Sequence, residues 1–175
     1  RSAAGGWRCC PPSAANPHLR IVVAAERAAH VDVPLFRPRA AAGLPMAAVV
    51  KRQRNPAFNE RMLETRRRAG VEPIYMQDAR TRIPEALREG KTVALVADQD
   101  AGERGVFVPF LGREASTFRG PARLALSQDV PLFFGAAVRD GRGYGWVLEP
   151  IERPPLGKAA ELEYTRRWVS RRRCS

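Results

Sequence analysis

Apolar and polar positions along this chain fall into two regimes that meet near Gly43. From Arg1 to Gly43 the sequence is rich in Ala, Pro and Arg, with little periodicity. "RSAAGGWRCCPPSAANP" reads as irregular, and "LRIVVAAERAA" fits one strand or a short helix. From Leu44 onward, short apolar runs alternate with segments of helical period, and the local signals agree.

"MAAVVK" (Met46–Lys51) predicts a buried strand. "NPAFNERMLETRRRAG" predicts a helix with Asn55 as N-cap, Pro56 in the first turn and Gly70 at the C-terminal cap. Phe58, Met62 and Leu63 are expected to share its inner face. "VEPIYM" predicts a strand that Pro73 weakens, and "RIPEALREG" a helix from Pro84 to Gly90. "KTVALVA" is the strongest strand signal. "GVFVPF" reads as extended, "RGPARLALSQ" as a helix opened by Pro121, and "VPLFFGAAV" as a buried strand. "RDGRGYGWVLEP" predicts a hairpin around Asp140-Gly141 into a last strand. Such alternation implies an α/β fold, a mostly parallel central sheet flanked by helices, incomplete at the N-terminus.

The strongest strand runs directly into Asp98-Gln99-Asp100 and a glycine-containing turn. Ligand sites of parallel sheets collect at the carboxyl ends of the strands. A polar turn explains these residues as well as a site does. If they form a site, the two carboxylates could hold a divalent metal, orient a base, or bind a hydroxyl or cationic partner.

The net charge of +12 comes from 30 basic residues; Lys51, Lys91 and Lys158 are the only lysines, leaving 27 arginines. That skew points to GC-rich coding DNA. It leaves open a solvated basic surface or attraction to an anionic partner, either nucleic acid or lipid headgroups. No nucleic-acid-binding motif is present, and aromatic residues rarely interleave with basic ones, so nucleic acid is not an expected partner. Cys9, Cys10 and Cys174 have no metal-ligand spacing and predict a reduced protein without a disulfide framework. No apolar run reaches the ~20 residues of a membrane-spanning helix.

"LREGKTVALVADQDAGERGVFVPFLGREASTFRGPARLAL" resembles the bacterial lipid A biosynthesis acyltransferases, the late lauroyl/myristoyl transferase family. The matching elements are Asp98-Gln99-Asp100, Gly105 to Gly112, Ala115, Thr117, and Gly120 to Ala125, with Leu111 in place of a second Phe. Upstream, Arg54, Asn55, Pro56, Arg66 and Gly70 fit the family's R-N-P…R…G segment. Downstream, "VPLFFGAAVRDGRGYGWVLEPIE" is similar to its closing strand pair. The likeness divides the chain into an irregular segment 1–43, an acyltransferase-like domain 44–152 and a basic, solvated tail 153–175.

The resemblance implies transfer of a fatty acyl chain from an acyl carrier protein or coenzyme A thioester to a hydroxyl of a lipid A precursor or related glycolipid. It implies no metal and no cofactor. Its setting is the cytoplasmic face of the cell inner membrane, with the membrane surface as a partner. His30, Asp98 and Asp100 are the implied catalytic residues, and Arg54, Arg66, Thr117 and Gly120 the implied substrate-binding ones. Arg52 is a further candidate for phosphate recognition.

The family's motif places a carboxylate five residues after a histidine, to orient it as a base. Val23 follows His18 at that spacing and Leu35 follows His30, while Asp32 lies only two positions past His30. A catalytically inactive remnant or binding module that keeps the fold is therefore the alternative reading. The expectation that joins these features is a truncated chain whose first 43 residues are read out of frame or joined wrongly.

Overall fold

The structure, a computed structural model, describes residues 20–25, 45–97, 99–140 and 143–171. Its centre is a six-stranded sheet of spatial order β3-β2-β4-β1-β7-β8. Here β1 is Arg20–Ala25, β2 Met46–Val50, β3 Val71–Tyr75, β4 Thr92–Val96, β7 Leu132–Asp140 and β8 Gly143–Ile151. Four of the five neighbouring pairs run parallel, and β7–β8 is antiparallel. A separate antiparallel hairpin joins β5 (Val106–Phe110) to β6 (Arg113–Thr117). Among the described residues there are four helices: α1 Pro56–Arg68, α2 Ala79–Arg88, α3 Gly120–Ser127 and α4 Ala160–Arg171.

Local chemistry accounts for most boundaries. The Asn55 side chain accepts from Phe58 N–H at 3.1 Å and caps α1. Gly70 and Gly90, at φ +75° and +79°, take the left-handed turn that stops α1 and α2. Pro73 is tolerated because β3 stands at the edge of the sheet, paired among the described strands with β2 alone.

Several expectations are corrected. α2 starts at Ala79, so Pro84 sits inside the helix instead of opening it. Its missing N–H leaves a gap opposite the exposed Arg80, where water can serve the carbonyl. α1 buries Asn59 and Leu63, while Phe58 stays about half exposed. Arg113–Thr117 is a strand although its sequence, "REAST", carries no apolar alternation; pairing with β5 makes it one.

The largest corrections are at the ends. β1 lies within the segment expected to be irregular, yet it pairs with both β4 and β7 at the middle of the sheet. The boundary at residues 43 and 44 thus cuts through the fold. The expected solvated tail contains α4, whose Tyr164, Trp168 and Val169 are buried in the main core. They pack there with Ala122 and Ala125 of α3, Val108 of the hairpin and Phe134 of β7. Burying an aromatic side chain of this size contributes roughly 2–3 kcal/mol, which fixes the helix against the sheet. Tyr164 donates to the Ile151 carbonyl at 3.4 Å, and burial pushes its hydroxyl's pKa up. Cys9, Cys10, Cys174 and the Gly141 end of the hairpin turn lie outside the described residues.

Candidate active site

Parallel pairing puts the carboxyl ends of β2, β3, β4 and β1 on one edge of the sheet, and three connecting segments meet there. The first, Lys51–Asn55, leaves β2. It is held by a chain of polar contacts. Asn59 Oδ1 accepts from Gln53 N–H at 3.0 Å, and Asn59 Nδ2 donates to the Tyr75 hydroxyl at 2.8 Å. The Arg52 guanidinium stacks on the Tyr75 ring, 4.5 Å from its centroid. The second segment begins at Met76, whose N–H donates to the Val50 carbonyl at 2.9 Å, tying the ends of β2 and β3 together.

The third segment follows β4. Asp100 Oδ1 accepts from Gly102 N–H at 2.9 Å and starts a short 3-10 turn, Gly102–Arg104. Ser116 of β6 donates to the Gly102 carbonyl at 2.5 Å, and Ala101 N–H donates to the Ser116 carbonyl at 3.3 Å. These contacts anchor the acidic turn to the hairpin. Between them lies a cleft of about 600 Å³, lined by Gln99, Asp100, Gly102, Glu103, Phe107, Phe110, Glu114, Ala115 and Ser116. That volume is within the range of small-molecule sites. Aromatic walls with carboxylates at the rim suit a molecule with an apolar body and a hydroxyl-bearing head.

The expected site residues are distributed unevenly around this edge. Asp100 lines the cleft, with its carboxylate engaged at Gly102. Arg54 is exposed on the neighbouring β2 segment. Gly120 is exposed and opens α3. Thr117 is buried, and its hydroxyl donates to the Ala115 carbonyl at 3.3 Å, so it packs the base of the hairpin. Arg66 stands in the last turn of α1, ten residues from Pro56. That is about 15 Å along the axis, so its backbone does not share the edge with Arg54. Its Nε is shielded from solvent. His30 and Asp98 lie outside the described residues.

Of the cleft's hairpin wall, Phe107 and Phe110 lie in the segment legible as extended, while Glu114 and Ser116 were missed because β6 was not legible as a strand. Asn59 could have been found: it is a polar residue one turn after the N-cap and one turn before Leu63, on the buried face. Among the described residues no cluster of three or more His, Cys, Asp or Glu could hold a metal ion. No helix among them is long and apolar enough to cross a membrane.

A separate ionic cluster joins Glu72 to Arg82 at 2.7 Å and to Lys91 at 2.5 Å. Glu72 is the second residue of β3 and Lys91 immediately precedes β4, so the cluster is at the opposite, amino-terminal edge. The Lys91 ammonium holds the Glu72 carboxyl below its usual range, outweighing the effect of partial burial. Its place assigns it to stability.

Residues 18–161 match the family described as bacterial lipid A biosynthesis acyltransferase. Phosphatidylinositol mannoside acyltransferase of Mycobacterium tuberculosis is 27% identical over 106 residues, which cover 58% of this chain and 34% of that protein. The chain therefore spans about a third of the length of the curated relative it matches. With the match running through most of the sheet, the acidic turn and the hairpin, the chain belongs to the bacterial lipid A biosynthesis acyltransferase family.

Proposed function

We propose that the protein transfers a fatty acyl chain from a thioester, carried by an acyl carrier protein or coenzyme A, to a hydroxyl of a lipid A precursor or related glycolipid. The observation that carries this reading is the family match over residues 18–161, which takes in His30, the Lys51–Asn55 segment and the acidic turn together. The relative's name, a phosphatidylinositol mannoside acyltransferase, supports a sugar-bearing lipid as acceptor.

In the proposed reaction a base takes the proton of the acceptor hydroxyl while its oxygen attacks the thioester carbonyl. A carbon–oxygen bond forms. The tetrahedral intermediate then collapses, the carbon–sulfur bond breaks, and the proton passes to the departing sulfur. The products are an ester and a free thiol, with no change of oxidation state. His30 is the proposed base, and Asp98 and Asp100 orient the acceptor hydroxyl or the imidazole. Arg54 and Arg52 offer guanidinium forks for phosphate groups on either substrate. Arg66 and Gly120 support the shape of the strand–helix units around the site. The proposed setting is the cytoplasmic face of the cell inner membrane.

The test is incubation of the purified chain with a radiolabelled acyl thioester and a sugar-bearing lipid acceptor. Label should move to the lipid, and His30→Ala should abolish the transfer. No transfer by folded protein with either donor would contradict the reading. A second reading, an inactive remnant that keeps the fold, is favoured by one feature: Leu35 stands where the carboxylate five residues after His30 is required. Leu35→Glu supplies that carboxylate. Activity that appears only in this variant supports the remnant, and equal activity in both chains counts against it.

A further inference from the structure

The segments leaving β2, β3 and β4 carry an unusual share of exposed large apolar side chains. Phe58, in the first turn of α1, is 49% exposed; Met76, just after β3, is 61% exposed; Phe107, on the hairpin wall of the cleft, is 59% exposed. All three stand on the carboxyl edge, because β2, β3 and β4 run parallel and α1 starts where β2 ends. Leu156 is also strongly exposed, but it follows β8, whose antiparallel direction ends it on the opposite edge.

Cations stand beside this apolar rim. Lys51, Arg52 and Arg54 are exposed, and no carboxylate of the described residues pairs with them. Four basic side chains of the helices are instead engaged with carboxylates: Arg67 and Arg68 with Glu60 and Glu64, Arg82 with Glu72 and Glu85, Arg167 with Glu163. The Asn59–Tyr75–Arg52 contacts hold the cationic segment in place, so little side-chain and loop entropy is lost when it meets a partner.

We propose that the carboxyl edge of the sheet docks flat on an anionic lipid surface, with Phe58 and Met76 entering the headgroup region and Lys51, Arg52 and Arg54 facing lipid phosphates. Exposed apolar groups flanked by cations that no described carboxylate neutralises are the combination that binds anionic bilayers. The choice of a lipid surface over another anionic partner rests on the acyl-transfer reading. It also places the mouth of the cleft, at Asp100 and Phe107, against the layer in which a lipid acceptor resides.

The test is flotation of the full 175-residue chain with vesicles of phosphatidylcholine alone and of phosphatidylcholine with phosphatidylglycerol. Binding should require phosphatidylglycerol and weaken as salt rises. The double variant Phe58→Gln/Met76→Gln should reduce the partition coefficient at least about fivefold, and Leu156→Gln should change it less than about twofold. Circular dichroism confirms that each variant is folded. Equal loss in both variants, no loss in the double variant, or no binding by the parent chain overturns the proposal. If the parent binds an acidic carrier protein but no vesicle, and the double variant loses that binding, the edge is a protein-docking surface instead. Acyl transfer to a detergent-dispersed acceptor, measured in parallel, separates the two claims. Transfer without vesicle binding sinks only the docking surface, and vesicle binding without transfer sinks only the enzymatic reading.

Discussion

Asn59 donates to the Tyr75 hydroxyl across the carboxyl edge of the sheet, joining α1 to the end of β3 at 2.8 Å. Its other amide atom accepts from Gln53 N–H, so one side chain fixes a helix, a strand end and the cationic segment between them. Asn59 is only 9% exposed, and water cannot easily replace it. Asn59→Ala should therefore destabilise the fold by about 1–3 kcal/mol, since it strands two partly buried partners. Tyr75→Phe removes one hydroxyl and should cost only about 0.5–1.5 kcal/mol. Urea denaturation of the three proteins gives the comparison. Equal midpoints for parent and Asn59→Ala would show that the network carries no stability.

Gly105 sits where the acidic turn meets β6. A Cβ added there would lie 2.1 Å from Ser116 Oγ and 2.7 Å from Ala101 Cβ. Something has to move, and it is the hydrogen-bonded anchor of the cleft. Gly105→Ala should cost about 1–3 kcal/mol by overpacking. Adding Ser116→Ala removes the nearest atom and should recover part of that loss. Thermal unfolding of the single and double variants tests this; no recovery would mean that Ala101 and the backbone dominate the clash.

The hairpin turn holds Leu111 at φ +51° and Gly112 at φ +79°, the pair of left-handed residues that a two-residue type I′ turn requires. Leucine is a poor occupant, and at 67% exposure it loses little packing if replaced. Leu111→Asn restores the favoured Asn-Gly pair and should raise stability by about 0.5–1 kcal/mol. A lower melting temperature for this variant would contradict the turn assignment.

Acid should weaken the fold partly through Glu72. Its carboxyl titrates lower in the folded chain than unfolded, mainly because Lys91 bonds to it. The unfolded chain then takes up the proton first as pH falls. The stabilisation is present above the ordinary carboxylate range and is lost as pH drops through it toward the lowered folded value. The Lys91 ammonium titrates above its usual range, so its share persists through neutral pH and fades only in strong base. Denaturation midpoints between pH 7 and pH 3 should fall more steeply for the parent than for Glu72→Gln. Parallel curves would remove Glu72 from the account.

The sequence made most of the sheet readable, because β2, β4 and β7 are short apolar runs with clear punctuation and α1 carries both caps. β1 stayed ambiguous for a physical reason. A strand in the middle of a parallel sheet and a short buried helix both read as a continuous apolar run. α4 was missed although its pattern is present: Tyr164 and Trp168, and Thr165 and Val169, are four apart and all buried. The surrounding arginines drew the reading toward a solvated tail. That Asp100 follows the carboxyl end of β4 was legible from the apolar run before it, whereas Arg54 was singled out by the family resemblance alone. Neither the separation of Arg66 from that edge nor the burial of Thr117 could be read without the helix axis and the hairpin.

In the proposed reaction the cleft beside Asp100 carries acyl transfer to a lipid-borne hydroxyl. Its most direct test compares the parent chain with Asp100→Asn, because asparagine keeps an oxygen to accept from Gly102 N–H and removes only the charge. Mass spectrometry of the acceptor lipid after incubation with acyl thioester should show one added acyl chain with the parent. The variant should give a rate lower by about tenfold or more at an unchanged melting temperature. An acceptor left unmodified by the folded parent, or modified equally fast by both proteins, would contradict the account.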